Sequence, residues 1–118
     1  MDGEITAAEL ERALDENDPL VVDIRHPQQF EREHIPGSVN IPLTELPSKI
    51  ERVAGADHVV TVCPHGQASV RAARLVDSFG GFDGRVESLA EGLEGWEGPV
   101  KSDTSDAETG TDAADAPF

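Results

Sequence analysis

The only cysteine of the chain, Cys63, stands at the end of an apolar run and just before a helical pattern, in the segment VVTVCPHGQASVRAARLV. A thiolate is the nucleophilic form of cysteine, and a helix N-terminus favours it. Gly66 permits a positive φ, so the segment CPHGQA can curl between strand and helix with its N–H groups converging. Such a loop stabilises a thiolate, a persulfide or a bound oxyanion. The alternative is a buried, inert cysteine.

The loop that follows Cys63 contains one histidine, His65. It can donate a hydrogen bond to an anion or carry a positive charge, whereas an exposed loop histidine without such a role is the alternative. We expect the Cys63 thiol to be partly exposed and in a positive environment, as a catalytic thiolate requires. The predicted active-site loop consists of Pro64, His65, Gly66, Gln67, Ala68 and Ser69.

Strands and helices alternate around this loop. Apolar runs rich in β-branched residues predict strands in LVVDI, SVNIP, HVVTVC and RVESL. Helices are predicted over residues 6–15, 27–33, 44–53 and 69–79, with a last short helix in EGLEGW. This alternation favours a parallel sheet with helices on both faces. Ligands bind at the carboxyl ends of the strands in such sheets, which is where Cys63 stands.

Particular residues set the helix boundaries and faces. Thr6 and Glu9 are spaced as a capping box, and Pro27 suits a first helical turn. Trp96, the single tryptophan, is expected to anchor the last helix against the sheet. The apolar faces are Leu46, Ile50 and Val53 in the helix over 44–53, and Val70, Ala73, Leu75 and Val76 in the helix over 69–79.

The charge balance of the chain is strongly acidic. It has 24 Asp and Glu residues against 9 Lys and Arg residues, and a formal net charge of -15. This argues against nucleic acid as a partner, because phosphate binding needs clustered Lys and Arg. A self-repelling acidic surface suits a high-salt cytosol, where counterions screen the charges, so we interpret the protein as halophilic. An ordinary acidic protein is the alternative.

A chain of 118 residues fits one domain. It has no apolar run long enough for a membrane span and no signal-peptide pattern, so we expect a cytoplasmic protein with no membrane partner. A single cysteine cannot form an internal disulfide, which indicates a reduced thiol. We assign residues 1–100 to the domain and residues 101–118, which are mostly small or acidic, to a disordered tail. The oligomeric state stays open.

Three motifs resemble, in order and spacing, those of the rhodanese-like domains: DIRHPQQFEREHIPGSVNIP, VCPHGQAS and EGLEGW. Specifically, they resemble the short single-domain thiosulfate sulfurtransferases, whose loop carries a histidine before the glycine. The resemblance covers about residues 4–97. It implies a single rhodanese-like α/β domain.

The resemblance also implies a ping-pong sulfur transfer without a cofactor. Cys63 would take a sulfane sulfur from thiosulfate or a persulfide donor and pass it, as a persulfide, to a thiol or cyanide acceptor. Many relatives carry cations directly after the cysteine and at the sixth loop position, where this chain has Pro64 and Ala68. We therefore expect weak capture of the thiosulfate dianion by His65, Arg71 and backbone N–H groups. A protein persulfide is expected to be the better donor.

Asp23 and Arg25 match the Asp-x-Arg signature of the family. The resemblance suggests that they brace the loops around the site, and a buried pair that holds the fold together is the alternative. The four histidines lack any close ligand spacing, so we predict no metal site.

Two other functions fit this fold. Related phosphatases and arsenate reductases have a loop of cysteine, five residues and arginine, but Ser69 stands in the arginine position, which disfavours both activities. A non-catalytic rhodanese-like binding module is the stronger alternative, because one fold hosts both roles. The missing loop cations favour that module, whereas the cysteine in a glycine-bearing loop favours the enzyme.

Overall fold

The computed structural model describes residues 2–102, which form a five-stranded parallel sheet in the order β1-β5-β4-β2-β3. The strands are β1 (Asp2–Ile5), β2 (Leu20–Asp23), β3 (Val39–Asn40), β4 (His58–Val62) and β5 (Arg85–Leu89). The helices are α1 (Ala7–Glu16), α2 (Pro27–Arg32), α3 (Glu51–Ala54) and α4 (Ala68–Ser78), with 3-10 helices at Pro47–Lys49 and Leu93–Gly95. The predicted parallel α/β fold is confirmed.

Two hydrophobic cores cover the two faces of the sheet. Residues of α3 and α4 pack with Val59 of β4 in one core. Leu10 of α1 packs with Val60 of β4 and with Trp96 in the other. Neighbouring residues of β4 thus enter opposite cores, as expected for a strand buried on both faces. Trp96 is 8% exposed and donates its Nε1–H to the Pro99 carbonyl, which confirms its predicted anchoring role.

The predicted starts of the first two helices are confirmed. Thr6 Oγ1 accepts the N–H of Glu9 at 3.1 Å, and Glu9 Oε1 accepts the N–H of Thr6 at 2.9 Å. Hydrogen bonds from the backbone N–H and the side chain of Thr6 lower the pKa of the Glu9 carboxyl. Pro27 occupies the first turn of α2, where its missing N–H costs no helical hydrogen bond.

Two elements differ from the prediction. The edge strand β1 was not predicted, because its sequence DGEI has only one apolar residue, Ile5. The continuous helix over 44–53 is wrong: the chain forms a 3-10 helix from Pro47 and only then the short α3. A proline cannot donate a helical hydrogen bond and clashes with the preceding turn, so it divides the helix. The apolar residues of this segment are nevertheless buried, with Leu46 at 0% exposure.

The buried face of α4 is smaller and more polar than predicted. Its buried residues are Ser69, Ala72, Ala73 and Val76. Val70 and Leu75, which the pattern placed on this face, are only half-buried. Small side chains let a helix lie close to a sheet, and the buried Ser69 has hydrogen-bond partners at the site described below.

The chain after the last 3-10 helix returns to the domain. Lys101 forms an antiparallel bridge with His34 through two backbone hydrogen bonds of 2.7 and 2.9 Å. Ser102 Oγ donates to the Glu31 carbonyl at 3.3 Å. The first two residues of the predicted tail are therefore tied to the domain, and the rest, residues 103–118, lies outside the described residues. Within residues 2–102, no helix is long and apolar enough to cross a membrane.

We expect Leu46→Ala to lower the free energy of unfolding by about 2–5 kcal/mol, because it empties a fully buried position in the core. Urea unfolding followed by the fluorescence of Trp96 measures the loss. Val100→Ala is the control at a side chain that is 43% exposed, and it should change the free energy by less than about 0.5 kcal/mol. Equal effects of the two substitutions would contradict the core position of Leu46.

Candidate active site

Cys63 directly follows β4, and the loop from Cys63 to α4 wraps around its thiol. The N–H of Gly66 donates to Cys63 Sγ at 3.0 Å, and Ser69 Oγ lies 3.3 Å from the same sulfur. Gly66 has a φ of +86°, and a Cβ at this position would overlap the carbonyl oxygen of Ala90. Only glycine therefore combines this turn with this close approach to the chain after β5.

The segment after β5 packs against the Cys63 loop and forms backbone hydrogen bonds with it. The N–H of Leu93 donates to the Cys63 carbonyl at 2.8 Å, and the N–H of Glu94 donates to the Pro64 carbonyl at 3.1 Å. Gly92 has a φ of +67°, and a side chain there would overlap the backbone of Cys63 and Pro64. The motif EGLEGW thus positions the Cys63 loop mainly through its backbone.

The thiol of Cys63 is buried, and its pKa is lower than the ordinary value of a cysteine thiol. The residue is 2% exposed, so the expected partial exposure is wrong in this conformation, in which the loop closes over the sulfur. Burial raises the pKa of the Cys63 thiol. Hydrogen bonds from the Ser69 hydroxyl and from the backbone N–H groups of Ser69, His65 and Gly66 outweigh burial and bring the pKa below its ordinary value. Dipoles rather than a cation are the groups that favour the thiolate here.

Two further hydroxyl groups lie behind Ser69. The Oγ atoms of Ser69 and Ser88 are 2.6 Å apart, and Thr61 Oγ1 donates to the Ser69 carbonyl at 2.7 Å. All three residues are at most 1% exposed. Thr61 and Ser88 were missed by the sequence analysis, because single hydroxyl residues in strands carry no motif. The pairing of β4 with β5 is the feature that would have identified them, because it places Thr61 opposite Ser88.

The other loop side chains lie around the thiol without contacting it in a hydrogen bond. His65 is 64% exposed, and its Nδ1 lies 3.4 Å from Oε1 of Glu94, which is 68% exposed. Gln67 is the N-cap residue of α4 but makes no side-chain capping hydrogen bond. Pro64 and Ala68 are half-buried. Glu94, which the sequence analysis did not single out, therefore offsets the charge that a protonated His65 would bring to the site.

Asp23 and Arg25 form a buried, two-pronged ion pair at the end of β2. Arg25 Nε lies 2.9 Å from Asp23 Oδ1, and Arg25 Nη2 lies 2.8 Å from Asp23 Oδ2. Arg25 also donates to the Glu33 carbonyl at 2.6 Å, and Asn40 Nδ2 donates to the carbonyls of Asp23 and Arg25. The pair ties the chain after β2 to β3 and to the end of α2, which favours the structural interpretation of these two residues.

Arg71 is not brought to the thiol. It is exposed on α4 and lines a groove with Leu43, Thr44 and Pro47. It is not among the groups that shift the pKa of Cys63. In the part of the chain that the structure describes, His, Cys, Asp and Glu side chains form no group of three or more that could hold a metal ion.

The sequence model of the Rhodanese-like domain family matches residues 6–99 of the chain. The chain belongs to the rhodanese-like family. Among solved structures, the rhodanese-related protein from Thermoplasma volcanium is 26% identical and superposes with a TM-score of 0.72, covering 83% of this chain and 96% of that one. The predicted family and fold are therefore confirmed.

Relatives that this chain matches over most of their length include thiosulfate sulfurtransferases. The chain is 40% identical over 105 residues to the thiosulfate sulfurtransferase GlpE of Pseudomonas paraeruginosa, and the match covers 86% of this chain and 91% of GlpE. It is 30% identical over 99 residues to YrkF of Bacillus subtilis, which matches 83% of this chain. The chain spans only about half of YrkF, 52% of its length. The similarity to GlpE over most of both chains supports the expected sulfurtransferase.

We expect native Cys63 to react with iodoacetamide with a pH midpoint below that of the urea-unfolded chain, because its pKa is lowered in the fold. The lower folded pKa stabilises the native state at a pH above the unfolded midpoint, and this stabilisation is lost as the pH falls through the folded midpoint. Alkylation followed by mass spectrometry across pH measures the two midpoints, with Cys63→Ser as the unreactive control. A native midpoint at or above the unfolded one would contradict the described thiol environment.

Proposed function

We propose that this rhodanese-like protein is a sulfurtransferase in which Cys63 carries the transferred sulfur as a persulfide. The observation that carries the proposal is the N–H of Gly66 at 3.0 Å from Cys63 Sγ, in a loop whose hydrogen bonds lower the pKa of the thiol. A lowered pKa supplies the nucleophile. Backbone N–H groups that converge on the sulfur also suit the negative charge of a persulfide.

The proposed reaction has two displacement steps. In the first, the Cys63 thiolate attacks the outer sulfur of the donor. A new S–S bond forms, the S–S bond of the donor breaks, and the rest of the donor leaves with the electron pair as sulfite or as a thiolate. In the second, a thiol or cyanide acceptor attacks the outer persulfide sulfur, and Cys63 leaves as the thiolate. The chain has one cysteine, so the sulfur leaves to another molecule and not to a resolving thiol within the chain.

The surroundings of the loop favour a persulfide donor over thiosulfate. Pro64 and Ala68 bring no charge, and the carboxylate of Glu94 lies beside His65, the one ionisable side chain of the loop. A dianion therefore meets little positive charge there, whereas a thiol-borne sulfur does not depend on it. We place this chemistry in a reducing cytoplasm at high salt, as the lone thiol and the acidic composition suggest.

A non-catalytic binding module is the second candidate, and the 2% exposure of Cys63 favours it. In that case the closed loop would present a partner surface, and the thiol would not load sulfur. Sulfur loading distinguishes the two functions directly.

Incubation with thiosulfate or with a persulfide donor is expected to add one sulfur, about 32 Da, to the chain, because nucleophilic catalysis leaves a covalent intermediate. Intact-mass spectrometry in high salt measures the gain. Cyanide should remove the sulfur as thiocyanate, and Cys63→Ser should not load. No loading of the wild-type chain from either donor would reject the enzyme and leave the binding module.

We expect Glu94→Gln to lower the KM for thiosulfate about two- to fivefold, since the loss of one exposed negative charge changes binding by a fraction of a kcal/mol to about 1 kcal/mol. Steady-state kinetics at low ionic strength measures the change, and concentrated salt should reduce it. Glu51→Gln on α3 removes the same charge away from the loop and is the control. An equal effect of both substitutions would assign the change to net charge and not to the His65 and Glu94 pair.

A further inference from the structure

A row of three polar atoms leads from the reacting sulfur into the core. It runs from Cys63 Sγ to Ser69 Oγ over 3.3 Å and on to Ser88 Oγ over 2.6 Å. Ser69 and Ser88 are 0% and 1% exposed, so bulk water does not compete for these hydroxyl groups. Among the hydrogen bonds of the described residues, the contact with Ser69 is the one that Ser88 Oγ makes. The sulfurtransfer chemistry does not by itself require Ser88.

The number of protons in this row depends on the state of the sulfur. The three atoms have two contacts between them, and each contact holds one proton. With Cys63 ionised, Ser88 donates to Ser69 and Ser69 donates to the sulfur, so both hydroxyl protons are used. With Cys63 protonated, a third proton is present and one of the three has no acceptor in the row. A buried donor without an acceptor is unfavourable, so the row favours the thiolate.

Ser88 can set the direction of this row, because either hydroxyl group can be the donor in the contact between Ser69 and Ser88. A hydrogen bond from Ser88 to Ser69 Oγ leaves the Ser69 proton free to point at the sulfur, and it polarises the Ser69 O–H group. Among the charged groups on the neighbouring elements, Asp23 pairs with Arg25, His58 pairs with Glu87 on β5, and Glu94 lies beside His65. Burial and hydrogen bonds, not these charges, are the causes of the shift at Cys63.

We propose that Ser88 is a positioning residue for Cys63, which directs the Ser69 hydroxyl toward the sulfur and so favours the thiolate. The inference rests on the proposed function only for the role of Cys63 as the nucleophile. Ser69 contacts the reacting atom, whereas Ser88 acts through Ser69.

The test is a double-substitution cycle of Ser69→Ala and Ser88→Ala read by the ionisation of Cys63. The chain has 1 cysteine and 0 tyrosines, so alkylation and the ultraviolet absorbance of the thiolate both report Cys63 alone. Below the wild-type midpoint, Ser88→Ala should slow alkylation about two- to fivefold, as expected for a neutral hydrogen bond. Ser69→Ala should slow it about tenfold or more, because its hydroxyl donates to a charged sulfur. Ser88→Ala should have no further effect in the Ser69→Ala background.

Matched controls separate the hydroxyl effect from packing. Thr61→Val removes an equally buried hydroxyl opposite Ser88 that bonds to the Ser69 carbonyl and lies outside the row, so it should shift the midpoint less than Ser88→Ala does. Ser88→Thr and Ser88→Val have nearly the same volume and differ in the hydroxyl, so threonine should keep a lower midpoint than valine. This pair also tests the proposal if Ser88→Ala does not fold.

Three results would overturn the role of Ser88: an unchanged midpoint in Ser88→Ala, the same slowing in the Ser69→Ala background, or an equal shift in Thr61→Val. The readout needs no sulfur transfer. A chain that fails to load sulfur but shows the coupled shift would reject the proposed function and keep the inference. A chain that loads sulfur but shows no coupled shift would keep the proposed function and reject the inference.

Discussion

Stabilising a sulfur anion at a buried position is the physical constraint on which the arrangement of this protein depends. Cys63 is 2% exposed, and burial by itself disfavours the thiolate. The loop offsets this effect with N–H groups and the Ser69 hydroxyl, which are dipoles that donate hydrogen bonds to the sulfur. These dipoles act only if the backbone holds them within hydrogen-bond distance. The parallel sheet, the start of α4 and the segment after β5 together provide that backbone.

Glycine positions show how tightly this backbone is packed. Gly66 and Gly92 both have a positive φ, and each lies against the main chain of the other loop. The loop that contains the sulfur and the loop after β5 therefore pack closely because neither glycine has a side chain at the contact. Within the Cys63 loop, His65, Gly66 and Ser69 contribute backbone N–H groups to the sulfur, and Ser69 also contributes its hydroxyl. Pro64, Gln67 and Ala68 are not among the groups that lower the pKa of the thiol.

The sequence was sufficient to predict the parallel fold, because strands buried on both faces give long runs of β-branched residues, as in β4. It also predicted the position of Cys63 at a strand end, since the change from strand to helix pattern surrounds it. It was not sufficient for β1, whose single apolar residue gives no pattern, or for the helix that Pro47 divides. The roles of Ser88 and Glu94 depend on which strands and loops are neighbours in space, and the order β1-β5-β4-β2-β3 cannot be read from one sequence.

The packing of the segment after β5 against the Cys63 loop has a consequence for oxidative damage. Oxidation of cysteine to sulfenic and higher acids follows thiolate character and exposure. Cys63 combines a lowered pKa with almost complete burial, so the closed conformation of the loop slows attack by peroxide on a thiol that is otherwise activated. The two backbone hydrogen bonds from Leu93 and Glu94 to the Cys63 loop help to maintain that conformation. The fold therefore lowers the pKa of the thiol and at the same time restricts the access of oxidants to it.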